Sequence, residues 1–495
     1  MQTIDHRRIA KNTILLYFRM GLIALVGLWT SRIVLNCLGV VDFGLYNVLG
    51  GIVVAFSFMS GALSASCNRY YSVELGKRDY TALKEVFKAN VLIFLLFALI
   101  IFILCESLGL WLIDAKLVIP QQRIAASRWV YQFSVITFIF SLMAIPYKSL
   151  IMAKEKLKVY AYSSIIEAFL KLSIVFLLNK APFDTLVFYS LLNMLISLGT
   201  NLFYILYCKR FYAECRYDGR PSRKICIEIL RFNGWGVIGS LATATRNQGV
   251  NILLNMFYGP AVNAARGLAN QIYSTIYQFV QNYALAFAPQ IVKSYSAGQK
   301  NECNALMLHC STLAFLMLSA VAFPIIFEMP EVMHLWLVNV PEHAIAFARI
   351  MMATALVDAL YPPLFHGIQA TGQVKWLNIL CGGCQILVVL IAYCLMKWGR
   401  ISSEMVFVLI FCGAFISQII RIILAHKYLL LSIKDYFKKV LLPVISATFL
   451  YSASLLALSL LLDSGIARLL ISFAISIFIS ATFVLISKKT RYDRA

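Results

Sequence analysis

Residues 237–258, VIGSLATATRNQGVNILLNMFY, and 261–286, AVNAARGLANQIYSTIYQFVQNYALA, decide how this chain is read. Each is long enough to be a helix crossing hydrocarbon, which takes about twenty residues, yet each carries an unusual polar load. At about 100° per residue, Ser240, Thr243, Asn247, Asn251 and Asn255 share one face of the first helix, with Arg246 and Gln248 on its flanks. Asn263, Arg266, Asn270, Ser274, Tyr277 and Gln281 share one face of the second. An arginine at the centre of a lipid-embedded helix costs roughly 2.5–3.5 kcal/mol even on the mildest scale, so these faces should look onto water or a polar ligand. The alternative is interhelical glue, in which amides hold helices together. That reading covers two or three amides better than it covers this many beside two arginines.

The rest of the composition agrees. Over 495 residues, 61% are hydrophobic, 13% are charged and the mean hydropathy is +0.80, which excludes an ordinary soluble domain. The expected fold class is an all-α polytopic membrane protein. No cleavable leader is expected, because MQTIDHRRIAKN is polar and basic and the apolar run after it continues for a full span.

At about twenty residues per crossing, spans are predicted near 12–35, 44–64, 90–113, 129–146, 159–179, 184–208, 237–258, 261–286, 305–327, 344–367, 376–397, 402–425, 440–462 and 466–487. That gives about 14 transmembrane helices, with the fourth expected to end or kink at Pro146. Of the 44 lysines and arginines, 29 fall in alternate connections and only 7 in the opposite ones. The positive-inside bias therefore puts both termini in the cytoplasm. The net charge of +22 is mostly this topological signal plus attraction to anionic membrane lipids, and no nucleic-acid partner is expected.

The chain also echoes itself. Leu35-Asn36-Cys37-Leu38-Gly39 returns as Leu254-Asn255-Met256-Phe257-Tyr258-Gly259, and Leu75-Gly76-Lys77-Arg78 as Ala297-Gly298-Gln299-Lys300. PYKSLIMAKEKLK (146–158) aligns with PLFHGIQATGQVK (363–375) at an offset of 217. Six spans per repeat is even, so the halves share one orientation and relate by an axis along the membrane normal, with a substrate site near the midplane between them. The expected division is an N-terminal six-helix lobe (1–208), a cytoplasmic basic linker (209–224), a C-terminal six-helix lobe (225–430) and two additional helices with a basic tail (431–495). The linker reads equally as a hinge strap or a plain charged loop.

Several of these residues carry a resemblance. The basic amino-terminal helix, LNCLGVVDFGLYNV before the second span, RYYSVELGKRDY after it, and the Ala-Lys-Glu and Ala-Thr-Gly loops after the fourth and tenth resemble the polysaccharide flippases of bacterial surface-glycan clusters. Those belong to the multidrug/oligosaccharidyl-lipid/polysaccharide exporter superfamily. The resemblance implies a V-shaped pair of helical lobes around a cationic central cavity. It also implies translocation of undecaprenyl-pyrophosphate-linked oligosaccharide repeats across the bacterial cytoplasmic membrane, with glycosyltransferases and a glycan polymerase as possible partners.

The chemistry of such a cargo can be matched to residues directly. Arginine grips phosphate oxygens bidentately, and asparagine and glutamine offer donors and acceptors to sugar hydroxyls. The candidate substrate-binding residues are Arg246, Asn247, Asn251, Asn255, Asn263, Arg266, Asn270, Gln281, Arg32 and Arg349, with Arg19 a further one; Arg19 and Arg32 sit near span ends where snorkelling is the competing role. Glu167 and Lys171, four apart, read as a structural pair. Asp358 has no local partner and is the candidate for binding a coupling ion, or for pairing with an arginine of another helix. Trp111, Trp129, Trp336 and Trp398 fall at span ends as interfacial belts.

Neither a phosphate-binding glycine loop nor an HExxH pair is present, so no cofactor, metal site or ATPase activity is expected. The twelve cysteines are scattered, and the CxxC spacing of Cys381 and Cys384 lies in an apolar helix where packing is the simpler role. Three function classes remain. A lipid-linked oligosaccharide flippase fits the arginines and amides. A drug or cation antiporter of the same superfamily would want carboxylates on those faces. A membrane glycan polymerase or ligase would want a large outer loop, and the longest here, 328–343, is short.

Overall fold

Peptide groups in hydrocarbon have no water to bond, so each crossing segment must satisfy them internally. The computed structural model is accordingly built of helices, with no strand among the described residues. It describes residues 6–492 apart from 58–59, 61–62, 65–66, 69, 72–73, 76–77, 155, 179–180, 216–220 and 400; for 6–20, 24, 57, 157, 231–240, 285–286, 289, 293, 296 and 486–492 it gives the helical course alone. Arg19, Ser240 and the middle of the expected linker thus lie outside the described side chains.

In chain order the helices are α1 (His6–Val54), α2 (Tyr80–Leu104), α3 (Leu110–Ala115), α4 (Ile124–Ala153), α5 (Leu157–Leu178), α6 (Thr185–Phe211), α7 (Arg223–Tyr258), α8 (Pro260–Ser296), α9 (Lys300–Phe327), α10 (Met329–Trp336), α11 (Ala344–Asp358), α12 (Tyr361–Ala370), α13 (Val374–Cys394), α14 (Ser403–Leu429), α15 (Ile433–Tyr436), α16 (Leu442–Leu461) and α17 (Ile466–Tyr492). Eleven helical runs among the described residues are long and apolar enough to cross a membrane. This is a multi-pass membrane protein. Three expected spans are not among the eleven: 44–64, which begins past a kink in α1, and the amide-rich pair, which is helical over α7 and α8 but too polar to qualify.

Backbone geometry repeats along the chain. Gly39 interrupts α1 at φ 77°, ψ 171°, and Gly259 separates α7 from α8 at φ 84°, ψ 179°. At the same offset of 220, Arg78 and Gly298 both take positive φ, 58° and 78°. The amides of Arg78 and Asp79 bond back to Leu75 and Glu74, as those of Gly298 and Gln299 do to Tyr295 and Ser294, each at 3.0–3.1 Å. Both are the same helix-ending turn, built once around arginine and once around glycine. Further on the offset becomes 217: α4 and α12 end at Ala153 and Ala370, and α5 and α13 begin at Leu157 and Val374.

One expectation is corrected. Pro146 neither ends nor shortens its helix, since α4 runs on to Ala153 and places Lys148 inside it. The counterpart helix in the second repeat is interrupted between Asp358 and Tyr361, and Pro362 and Pro363 open α12, where a missing N–H costs nothing.

Residue contacts divide the chain into two compact units, 1–264 and 265–495, so α7 belongs with the first. In unit 1, α4 packs along α6, while α1 meets α5, α4 and α7. Arg123 joins two acids, donating through Nε to buried Asp42 just past the Gly39 kink (2.7 Å) and bonding Asp184, which also caps α6. What is described of the linker is docked: Glu214 accepts from Lys154 at 2.8 Å, and the Lys154 ammonium lies 4.1 Å from the Tyr212 ring. Burial pushes the Tyr212 phenol up, and the neighbouring Cys208 thiol together with burial does the same to Cys215. In unit 2, α17 lies along α9, and Arg468 grips Glu328, buried at the end of α9, through two nitrogens at 2.6 and 3.0 Å.

Candidate functional site

The polar face of α7 changes character along its length. Toward its C-terminal end the asparagines are buried and committed. Asn251 is 3% exposed and donates through Nδ2 to Asn47 O of α1 at 3.2 Å. Asn263, fully buried, donates to both Asn251 O and Asn251 Oδ1, at 2.7 and 2.8 Å. Asn255, also fully buried, accepts the Val118 amide of the α3–α4 connection at 2.9 Å. Glycines let these elements approach: a Cβ on Gly44 would overlap the Pro260 carbonyl, and one on Gly51 would overlap the side chains of Gln248 and Asn251. In this arrangement Asn251, Asn255 and Asn263 therefore serve as interhelical fasteners, the role weighed above as glue.

One to two turns earlier the same face is open. Asn247 is exposed and Arg246 half-buried, and Arg246 makes no ion pair among the described residues. Arg32 of α1 is half-buried and partnered.

In unit 2 the α8 residues divide similarly. Asn270 and Gln281 are exposed, whereas Arg266 is half-buried and partnered. Tyr273 and Tyr277, stacked with ring centroids 5.5 Å apart, both reach the end of α11: Tyr273 Oη donates to Asp358 Oδ2 at 3.2 Å, and Tyr277 Oη to Asp358 O at 3.1 Å. Asp358 is buried. Arg349 lies elsewhere, exposed near the start of α11. It caps the last carbonyls of α9, with Nε 3.0 Å from Ile326 O, and lines a cavity of about 490 Å³ with His334, Glu342, His343 and Glu404. Within unit 1 Asn251 and Asn263 meet directly, whereas within unit 2 Arg349 sits at the end of α9.

Sequence reasoning missed a buried cation. Arg421 of α14, 5% exposed, lies 4.3 Å from the Tyr361 ring centroid and donates to Gln418 Oε1 at 3.3 Å. Gln418 in turn donates to Leu360 O and to the buried Tyr436 hydroxyl, at 3.3 and 3.1 Å. Both Arg421 and Asp358 act electrostatically on Tyr361.

Residues 9–295 match the family described as "Polysaccharide biosynthesis protein". The chain belongs to that family. No curated protein matches it by sequence. Among solved structures it is similar to the lipid II flippase MurJ in an inward closed conformation, at 14% identity and TM-score 0.68, covering 98% of this chain and 100% of that one. It is also similar to an inward-facing multidrug resistance MATE family transporter of the MOP superfamily, at 14% identity and TM-score 0.66, covering 83% and 94%. A third is a MOP superfamily transporter from Pyrococcus furiosus, whose reversed binding-pocket polarity suggests a different function, at 15% identity and TM-score 0.58, covering 85% and 95%. At these identities the likeness is one of fold. The family member has the fold of MOP superfamily transporters.

Proposed function

We propose that this protein is a flippase that carries undecaprenyl-pyrophosphate-linked oligosaccharide repeat units across the bacterial cytoplasmic membrane for surface polysaccharide synthesis. The observation that carries the reading is Arg246: a guanidinium within a long helix, half-buried, without an ion pair among the described residues and next to exposed Asn247. A cation held there without a carboxylate suits an anionic cargo, and the exposed amides Asn247, Asn270 and Gln281 suit its sugars. A polyprenyl tail would stay in lipid while diphosphate and sugars move through a polar path. Membership of a polysaccharide biosynthesis family supports the cargo class. On this reading the termini are cytoplasmic, the protein moves its cargo without altering it chemically, and it works beside glycosyltransferases and a polymerase. Asp358 is the residue proposed to couple transport to an ion.

The test is surface-glycan export in a deletion strain complemented with Arg246 variants, normalised to membrane abundance. Lysine should keep part of the activity, alanine little and glutamate none, with undecaprenyl-linked repeats accumulating on the cytoplasmic side. Full export by Arg246→Ala and Arg266→Ala at normal abundance would remove both from the site. Unchanged glycan together with raised sensitivity to cationic dyes would replace the flippase by a cation antiporter.

A further inference from the structure

Unit 1 holds a half-buried cation that no expectation included. Lys148 lies inside α4, about a turn and a half before its end. A lysine so placed would ordinarily snorkel outward, but this one turns into the bundle. Its Nζ donates to Asn201 Oδ1 of α6 at 2.8 Å and lies 5.0 Å from the Tyr204 ring centroid. Asn201 is buried and donates to Ser141 Oγ at 3.0 Å and Ser197 O at 2.8 Å. The carboxylate that acts on Lys148, Glu167 of α5, already pairs with Lys171 at 2.7 Å. Two ammonium groups therefore share one carboxylate.

The second repeat shows what a self-contained version looks like. At the offset of 217, Asn201 corresponds to Gln418, Tyr204 to Arg421, Ala144 to Tyr361 and Ser141 to Asp358. The same pair of helices again holds an amide and a cation on an aromatic ring, with ring and cation exchanged between helices. There are two differences. Unit 2 has Asp358 where unit 1 has Ser141, and Asp358 and Arg421 both act electrostatically on Tyr361. Unit 2 is also covered by Tyr436, from beyond the repeat, bonded to Gln418.

We infer that the Lys148–Asn201–Tyr204 cluster of unit 1 is a binding site for the phosphate oxyanions of a membrane lipid. The ammonium is oriented by the amide and ring and leaves N–H donors for the ligand, Asn201 and Ser141 fix the cluster, and the missing carboxylate is supplied by the ligand's phosphate. Arg421 is its structural counterpart. If the cargo is the lipid diphosphate proposed above, this cluster holds its charge in addition to Arg246; in that respect alone the inference rests on that proposal.

The experiment measures binding of undecaprenyl diphosphate, inorganic pyrophosphate and phosphatidylglycerol to the purified full-length protein in detergent micelles. Lys148→Met, Lys148→Arg and Arg421→Met are compared with wild type, per folded molecule. Methionine approximates the volume and removes the charge. Lys148→Met should bind undecaprenyl diphosphate about 10- to 100-fold more weakly, the range set by a charge-assisted hydrogen bond. Lys148→Arg should retain most of the affinity and Arg421→Met all of it. Equal binding by wild type and Lys148→Met overturns the site while leaving the cargo reading intact. Lys148-dependent binding of phosphatidylglycerol but not of undecaprenyl diphosphate keeps the site and sinks the cargo reading. Binding of none of the three overturns the site.

Discussion

Gly39 and Gly259, 220 residues apart, break their helices with nearly the same backbone geometry, φ 77°, ψ 171° and φ 84°, ψ 179°. Only glycine enters that region cheaply, other residues costing about 1–3 kcal/mol there. Nothing lies within 4 Å of a Cβ built on either one. The cost of substitution is therefore purely conformational and should be equal at the two sites. Gly39→Ala and Gly259→Ala should each destabilise by about 1–3 kcal/mol, while Gly50→Ala, open and mid-helix, should be neutral or slightly stabilising. Thermal melts of the purified variants check this, and strongly unequal losses at the two glycines would count against a shared origin of the kinks.

Gly44 makes a different demand. A Cβ there would overlap the Pro260 carbonyl, which is backbone and cannot rotate away. Gly44→Ala should therefore part α1 from the α7–α8 junction, and a cysteine pair placed across that contact should cross-link less readily than in the parent carrying Gly44.

The asparagines of α7 should separate by role. Asn251→Ala and Asn263→Ala each break interhelical hydrogen bonds and should cost about 0.6–2 kcal/mol in melting experiments. Asn247→Ala, at an exposed position, should cost less in melting than either of these and lower glycan export. The reverse pattern would return Asn251 and Asn263 to the substrate.

Arg123 joins Asp42 and Asp184, so removing it leaves two carboxylates facing each other without their cation. Arg123→Ala should destabilise by about 1.5–3 kcal/mol, the value of charge-assisted hydrogen bonds. Arg123→Ala combined with Asp42→Asn should recover part of it, read out as melting temperature.

The Arg468–Glu328 pair holds α17 on the end of α9. Glu328 is buried, so Arg468→Met alone should cost about 3–5 kcal/mol, whereas Arg468→Met with Glu328→Gln should cost much less. Protease sensitivity of the C-terminal helix follows the same order. An additive double variant would mean that the pair contributes nothing.

The sequence by itself determined the fold class, because apolar length and scarcity of charge leave a chain in lipid only helices. It also carried the duplication, since positive-φ glycines and helix-ending turns are local backbone demands that a linear text records: Gly39 with Gly259, Pro146 with Pro363. Tertiary structure decided which polar residues remain available. Asn247 and Asn251 are one helical turn apart on one face and look alike in sequence, yet one is exposed and the other is held between Asn47 and Asn263. Lys148 fell between predicted spans because Pro146 suggested a helix end, and Arg421 fell within the predicted span 402–425. Their meeting with Tyr204 and Tyr361 joins residues 56 and 60 positions apart across a helix pair. Burial and pairing across helices depend on the partner surface, and helical periodicity describes only one surface at a time.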